Sequence, residues 1–199
     1  MKLSFSTKGW HDYTWPELCN MAAEYSFDGI ELHNIRDGIL TAPDGPVNPE
    51  RMSANALMLR QLGITISCIN TICDIADNSI IDESIAEIKA TVDLASDLNV
   101  PYVRVHAAED SVKPETWENS SVMQILDAAI PHAREKGIIL IIETFGMFAN
   151  TSVLSEVLNH YACDTLAALW DVQHPYRKCG EEPDITIKNL GAYVKHVHI

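Results

Sequence analysis

One phrase recurs along this sequence: an amphipathic stretch, a Gly or Asn, then a short apolar run rich in β-branched residues. The runs fall at 2–6, 29–33, 64–70, 101–106, 138–143, 166–171 and 194–199. Most are nearly continuous in apolar character, as strands covered on both faces must be. That pattern predicts a repeated βα unit: a parallel sheet wrapped by helices.

The intervening stretches carry helix punctuation. Thr14-Trp15-Pro16-Glu17 has the form of a capping box and opens a helix to about Tyr25. Asn48-Pro49 opens a second that Gly63 closes, a third runs from about 82 to near Asn99, and a fourth covers about 118–136 before Gly137. Shorter helices are expected at 152–161 and 184–190. Connections after helices are two or three residues, whereas those after strands are long, at 34–48, 71–81, 107–117 and 174–183. In parallel α/β proteins the strand-to-helix loops gather at the carboxyl edge of the sheet, where sites are built.

With 199 residues, 47% of them apolar, the chain buries roughly 70% of its unfolded surface without needing disulfides or a structural metal. No linker or change of composition divides it, so residues 1–199 form one domain. Acidic residues number 28 against 14 basic ones, a net charge of -14 that repels a polyanion and makes nucleic acid and anionic membranes poor partners. No apolar run approaches the roughly 18 residues of a membrane span. The start, Met1-Lys2-Leu3-Ser4-Phe5-Ser6, is too short and mixed for a signal peptide, so a cytoplasmic location is expected. The five cysteines form no C-x-x-C pair; Cys68 and Cys73, on opposite sides of an extended segment, are read as packing residues.

Polar residues end the apolar runs. Glu143 follows five consecutive apolar residues, Asp171 ends 166–171, His106 ends 101–106, and His33 ends 29–33. His196 and His198 share one strand face. A carboxylate placed like Glu143 is costly to bury unless something positive stands beside it. Strand ends converge only if the sheet rolls up, and Glu143, Asp171 and His198 then supply two oxygens and a nitrogen. That donor set suits Mn²⁺, Co²⁺, Zn²⁺ or Mg²⁺. His174, three residues past Asp171, lies close enough to touch a bound substrate. His106 is read as a substrate contact, and Trp170 as the one tryptophan near the site. His11, His33, His132 and His160 are assigned structural roles.

These residues carry a resemblance. Phe27-Asp28-Gly29-Ile30-Glu31-Leu32, Val100 through His106, Lys136 through Thr144, Trp170-Asp171-Val172-Gln173-His174-Pro175 and His196-Val197-His198-Ile199 together resemble the xylose isomerase-like (βα)₈ TIM barrel superfamily. The resemblance implies Glu143 as metal ligand and acid/base, Asp171 and His198 as further ligands, and His174 as the substrate-contacting residue of the D-x-x-H turn. It also implies a fourth ligand, a glutamate on an eighth strand. A complete barrel has about 250 residues, so the expectation is an incomplete barrel of about seven strands, with strand 8 missing and a complementing C-terminal segment or a homo-oligomer as candidate partners. With only three of the four ligands, residues 1–199 alone are expected to bind metal weakly and turn over little.

The implied activity is that of a divalent-metal-dependent isomerase or epimerase of a sugar, sugar phosphate or hydroxy-ketone, acting by proton transfer through a metal-stabilised enediolate. A lyase or dehydratase of the same superfamily is the alternative, as is a non-catalytic fragment. Residues 144–152 lack the second glutamate that ketose 3-epimerases tend to carry, and run 64–70 lacks the histidine that the three-metal nucleases need.

Overall fold

The computed structural model describes all 199 residues, Met1–Ile199. Seven strands form it: β1 (Ser4–Ser6), β2 (Gly29–Leu32), β3 (Thr65–Asp74), β4 (Tyr102–His106), β5 (Ile139–Glu143), β6 (Leu166–Asp171) and β7 (Val194–His198). They pair in sequence order and every pairing is parallel. Each parallel step needs a crossover. The crossovers are α1 (Trp15–Glu24), α2 (Gly38–Thr41) with α3 (Met52–Leu62), α4 (Ile81–Asp97), α5 (Ser121–Lys136), α6 (Thr151–Tyr161), and α7 (His174–Cys179) with α8 (Pro183–Leu190).

The sheet is rolled. Glu31 on β2 meets His196 and His198 on β7 at 2.9 and 3.1 Å, although four strands lie between them. In a flat sheet that separation is roughly 24 Å at about 4.8 Å per strand. β1 and β7 each pair on one side only, so the architecture is an incomplete TIM barrel with seven strands.

Alternation along each strand divides the interior in two. Leu140 and Ile142 of β5, Val103 of β4 and Ala168 of β6 pack outward against Leu18, Ile88, Leu126 and Leu154 of the helices. Ile141, Ala167, Leu169 and Cys68 pack inside the curl, with Tyr102 and Ile139 against them. The inward series of β4, β5 and β6 ends in His106, Glu143 and Asp171 at the carboxyl rim. Cys73 joins the outer layer while Cys68 joins the inner one, and all five cysteines are free.

Local chemistry sets the boundaries. Thr14 and Glu17 form the expected capping box, with the Thr14 N–H donating to Glu17 Oε2 at 2.8 Å. Gly63 and Gly137 close α3 and α5 in the left-handed region at φ 71°. Some expected starts move. α5 begins at Ser121 rather than near 118, because Asn119 sits at φ 60° and Ser120 accepts from the Met123 N–H at 3.3 Å. α3 begins at Met52 because Asn48 folds a turn, accepting from the Glu50 N–H at 3.0 Å. β3 continues to Asp74, which pairs with His106, so the expected 71–81 loop is shorter. Two of the other long loops hold short helices that periodicity does not reveal, α2 and α7, and a 3₁₀ turn at Gly146–Ala149 follows β5.

Candidate metal centre at the barrel mouth

Glu143, Asp171 and His198 lie on the adjacent strands β5, β6 and β7, and one ligand atom from each falls within 4.8 Å of the others. Register produces this: Asp171 is level with His198 across β6 and β7, and Glu143 is level with Leu169, two residues below Asp171. Glu143 is 4% exposed. His198 Nδ1 stands 3.0 Å from Glu143 Oε1. Asp171 Oδ1 accepts from the Gln173 and His174 N–H groups at 2.8 and 3.1 Å, which leaves Oδ2 toward the mouth, 3.7 Å from His174 Nε2.

The positive group that a buried Glu143 requires is Arg104, two positions below His106 on β4. Its Nε donates to Glu143 Oε2 at 2.7 Å and its Nη2 donates to the same oxygen. Burial alone raises a carboxyl's pKa, but the His198 hydrogen bond and the Arg104 charge overcome it and hold Glu143 at about 2. Burial disfavours charge on His198 as well, yet bonding to Glu143 and Glu31 lifts it to about 9. A guanidinium only donates. His106 Nδ1, 3.3 Å from Arg104 Nη1, is therefore the acceptor nitrogen, and the proton of the neutral ring sits on Nε2. Burial and the Arg104 charge hold that ring neutral, with a pKa lowered to about 4. Phe145 joins the rim residues, its ring centroid 4.6 Å from that of His174 and 6.1 Å from that of His106.

A second group lies across the curl. Glu31, 4% exposed, accepts from His196 and His198 through Oε2 and from Asn70 Nδ2 through Oε1 at 2.8 Å. Although burial pushes its pKa up, these hydrogen bonds and the His198 charge hold the carboxyl far below the ordinary carboxylate range. Glu31, Glu143 and Asp171 thus face two cations, Arg104 and protonated His198, and one negative charge is left over. A divalent cation that displaces the His198 proton brings the total to neutrality. The donors fit such an ion: hard oxygens with one imidazole, at the open end of the curl.

The structure brings together Glu143, Asp171 and His198, with His174 and His106 beside them. Trp170 is a correction. Strand alternation sets it on the helix-facing side of β6, opposite Asp171, where its buried indole N–H has no partner. Of the histidines assigned structural roles, His11 stands 2.8 Å from Asp37, His132 stands 3.0 Å from Asp93, and His160 packs against Tyr161. The His33 backbone N–H donates to Thr7 Oγ1 at 2.9 Å, and its ring lies near enough to Arg104, Glu31 and Glu143 to feel their charges. Arg104, Glu31 and Asn70 are site residues that reading the sequence did not single out. The signal was available, since a charge at every second position of a buried strand needs a partner across the barrel.

A parallel barrel with acid and imidazole side chains at its carboxyl rim defines an α/β enzyme architecture. Residues 19–199 match the family model described as xylose isomerase-like TIM barrel, and the chain belongs to that family. Similar solved structures agree on the fold. The probable 3-DHS dehydratase AsbF, involved in petrobactin synthesis in Bacillus anthracis, superposes with a TM-score of 0.82 at 17% identity, covering 100% of this chain and 73% of that one. The 3-keto-D-glucoside 4-epimerase YcjR of E. coli gives 0.77 at 14%, covering 100% and 78%. A xylose isomerase-like TIM barrel protein of Mycobacterium smegmatis in complex with magnesium gives 0.74 at 16%, covering 100% and 74%. Among curated proteins there is no match.

Proposed function

We propose that this protein is a divalent-metal-dependent isomerase or epimerase of a sugar or related hydroxy-ketone, working by proton transfer beside a carbonyl. The observation that carries the reading is the convergence of Glu143, Asp171 and His198 within 4.8 Å at the barrel mouth. Epimerase and magnesium-bound structures of the same fold support it. Glu143, Asp171 and His198 would hold Mn²⁺, Co²⁺, Zn²⁺ or Mg²⁺. When bound, the cation supplies positive charge that makes the C–H next to a chelated carbonyl more acidic.

The chain's own groups do the rest. Glu143, kept ionised by Arg104, accepts the proton. His174, on the first residue of α7, holds a substrate oxygen, and His106 Nε2–H donates to another. Phe145 gives the apolar edge between these two rings and shields the reacting carbon from water. Return of the proton to a neighbouring carbon isomerises the substrate; return to the opposite face of the same carbon epimerises it. Loss of a hydroxyl from the same carbanion is dehydration, a second reading favoured by the similarity to the probable dehydratase.

The test uses purified protein loaded with Mn²⁺ and a panel of ketohexoses and aldohexoses in D₂O, with deuterium incorporation followed by NMR. Wild type is expected to exchange one carbon-bound proton. Glu143→Gln should lower that rate about 10²–10⁴-fold. Exchange at the wild-type rate in Glu143→Gln removes Glu143 from the proton-transfer role.

A further inference from the structure

Glu31 takes no part in the proton transfer proposed above, yet its carboxylate is among the most buried in the chain and accepts three hydrogen bonds. A carboxylate accepts and does not donate. Both imidazole nitrogens that meet Glu31 Oε2 must therefore carry hydrogen: Nε2 of His196 and Nε2 of His198. By the same rule His198 Nδ1, 3.0 Å from Glu143 Oε1, also carries hydrogen, so the metal-free ring is an imidazolium held between two carboxylates. An ion seated with Glu143 and Asp171 would replace the Nδ1 proton, on the Glu143 side, and leave Nε2–H on Glu31. Asn70, donating to Oε1 from β3, and His196, donating to Oε2 from β7, keep the carboxylate from rotating.

We infer that Glu31 is a positioning residue: across the barrel from β2 it sets the tautomer and orientation of His198, so that Nδ1 is presented to the cation held with Glu143 and Asp171. This rests on the metal centre proposed above. A metal-bound histidine whose other nitrogen donates to a carboxylate is a better and more rigid ligand, and loss of such a partner typically costs 10–100-fold in metal affinity. Glu31→Gln is the informative change. An amide cannot accept on both ends, so its NH₂ must face either the Asn70 donor or the two imidazole donors.

The experiment measures Zn²⁺ binding to the full chain by competition with a chromophoric chelator, for wild type and Glu31→Gln, with circular dichroism to confirm folding. Wild type should bind one ion, and Glu31→Gln should bind about 10–100-fold more weakly. Equal affinity overturns the inference and leaves the metal centre standing; no binding by wild type removes the centre itself. Two ions per wild-type chain also overturn the inference, since Glu31, His196 and His198 would then be ligands in their own right. Should Glu31→Gln not fold, ¹⁵N NMR of the histidine rings in Zn²⁺-loaded wild type decides the matter. The expected signature is Nδ1 coordinated and Nε2 protonated for His198, and coordination through Nε2 overturns it.

Discussion

His198 is the residue through which the electrostatics of the mouth are coupled, because each ring nitrogen faces a different buried carboxylate. Its pKa rises from 6.5 to about 9 on folding, so its stabilising contribution is complete below about pH 6.5 and fades as the pH climbs toward 9. Glu143 moves the other way, from 4.5 to about 2, so its contribution is complete above about pH 4.5 and fades as the pH falls toward 2. Metal-free protein should therefore gain most from this cluster between about pH 4.5 and 6.5. Between about pH 6.5 and 9.5 it should lose on the order of 3 kcal/mol, because each tenfold change in proton affinity is worth about 1.4 kcal/mol. That loss should be visible in urea melts and absent in His198→Ala. Metal binding has the opposite slope. An ion must displace the His198 proton, so chelator competition at pH 6, 7 and 8 should show affinity rising about tenfold for each step in pH.

At the scale of single elements, the 3₁₀ turn after β5 carries a strict demand. Gly146 sits at φ 61°, and a Cβ there would lie 2.1 Å from the Ala108 carbonyl oxygen and 2.6 Å from Ser111 Oγ. This close approach seats the loop after β4 against the loop after β5, with the Met147 N–H on Ser111 Oγ at 2.9 Å, and so fixes Phe145 between His106 and His174. Gly146→Ala combines a left-handed penalty with a steric overlap and should destabilise by about 2–4 kcal/mol, measured as a lowered denaturation midpoint. What was legible here follows the physics. Continuous apolar runs showed all seven strands, and strand-end acids and imidazoles marked the mouth, because both are one-dimensional patterns. Contacts made by closure are not: Arg104 on Glu143, and Glu31 on His198, join residues 39 and 167 positions apart. The short helices α2 and α7 were hidden for another reason, since one or two turns carry too little periodicity to read.

For the whole molecule, the order of the strands assigns unequal roles. β2 through β6 each have neighbours on both sides, while β1 and β7 are bonded along one edge only. Native-state hydrogen exchange should therefore be slowest in β4 and β5, where Val103, Val105, Leu140 and Ile142 are fully buried, and faster in β1 and β7. Uniform protection across the sheet would contradict this. Exposed side chains of Val197 and Ile199 mark the same outer margin of β7.

One of the two strands held along a single edge is thus the one that carries the only nitrogen of the proposed ligand set. Seating an ion would clasp β7 to β5 and β6 from above, while Glu31 tethers it from the far wall. A chelating agent should then act first as a loosener of this margin, speeding β7 amide exchange and exposing it to proteases well before the rest of the molecule gives way.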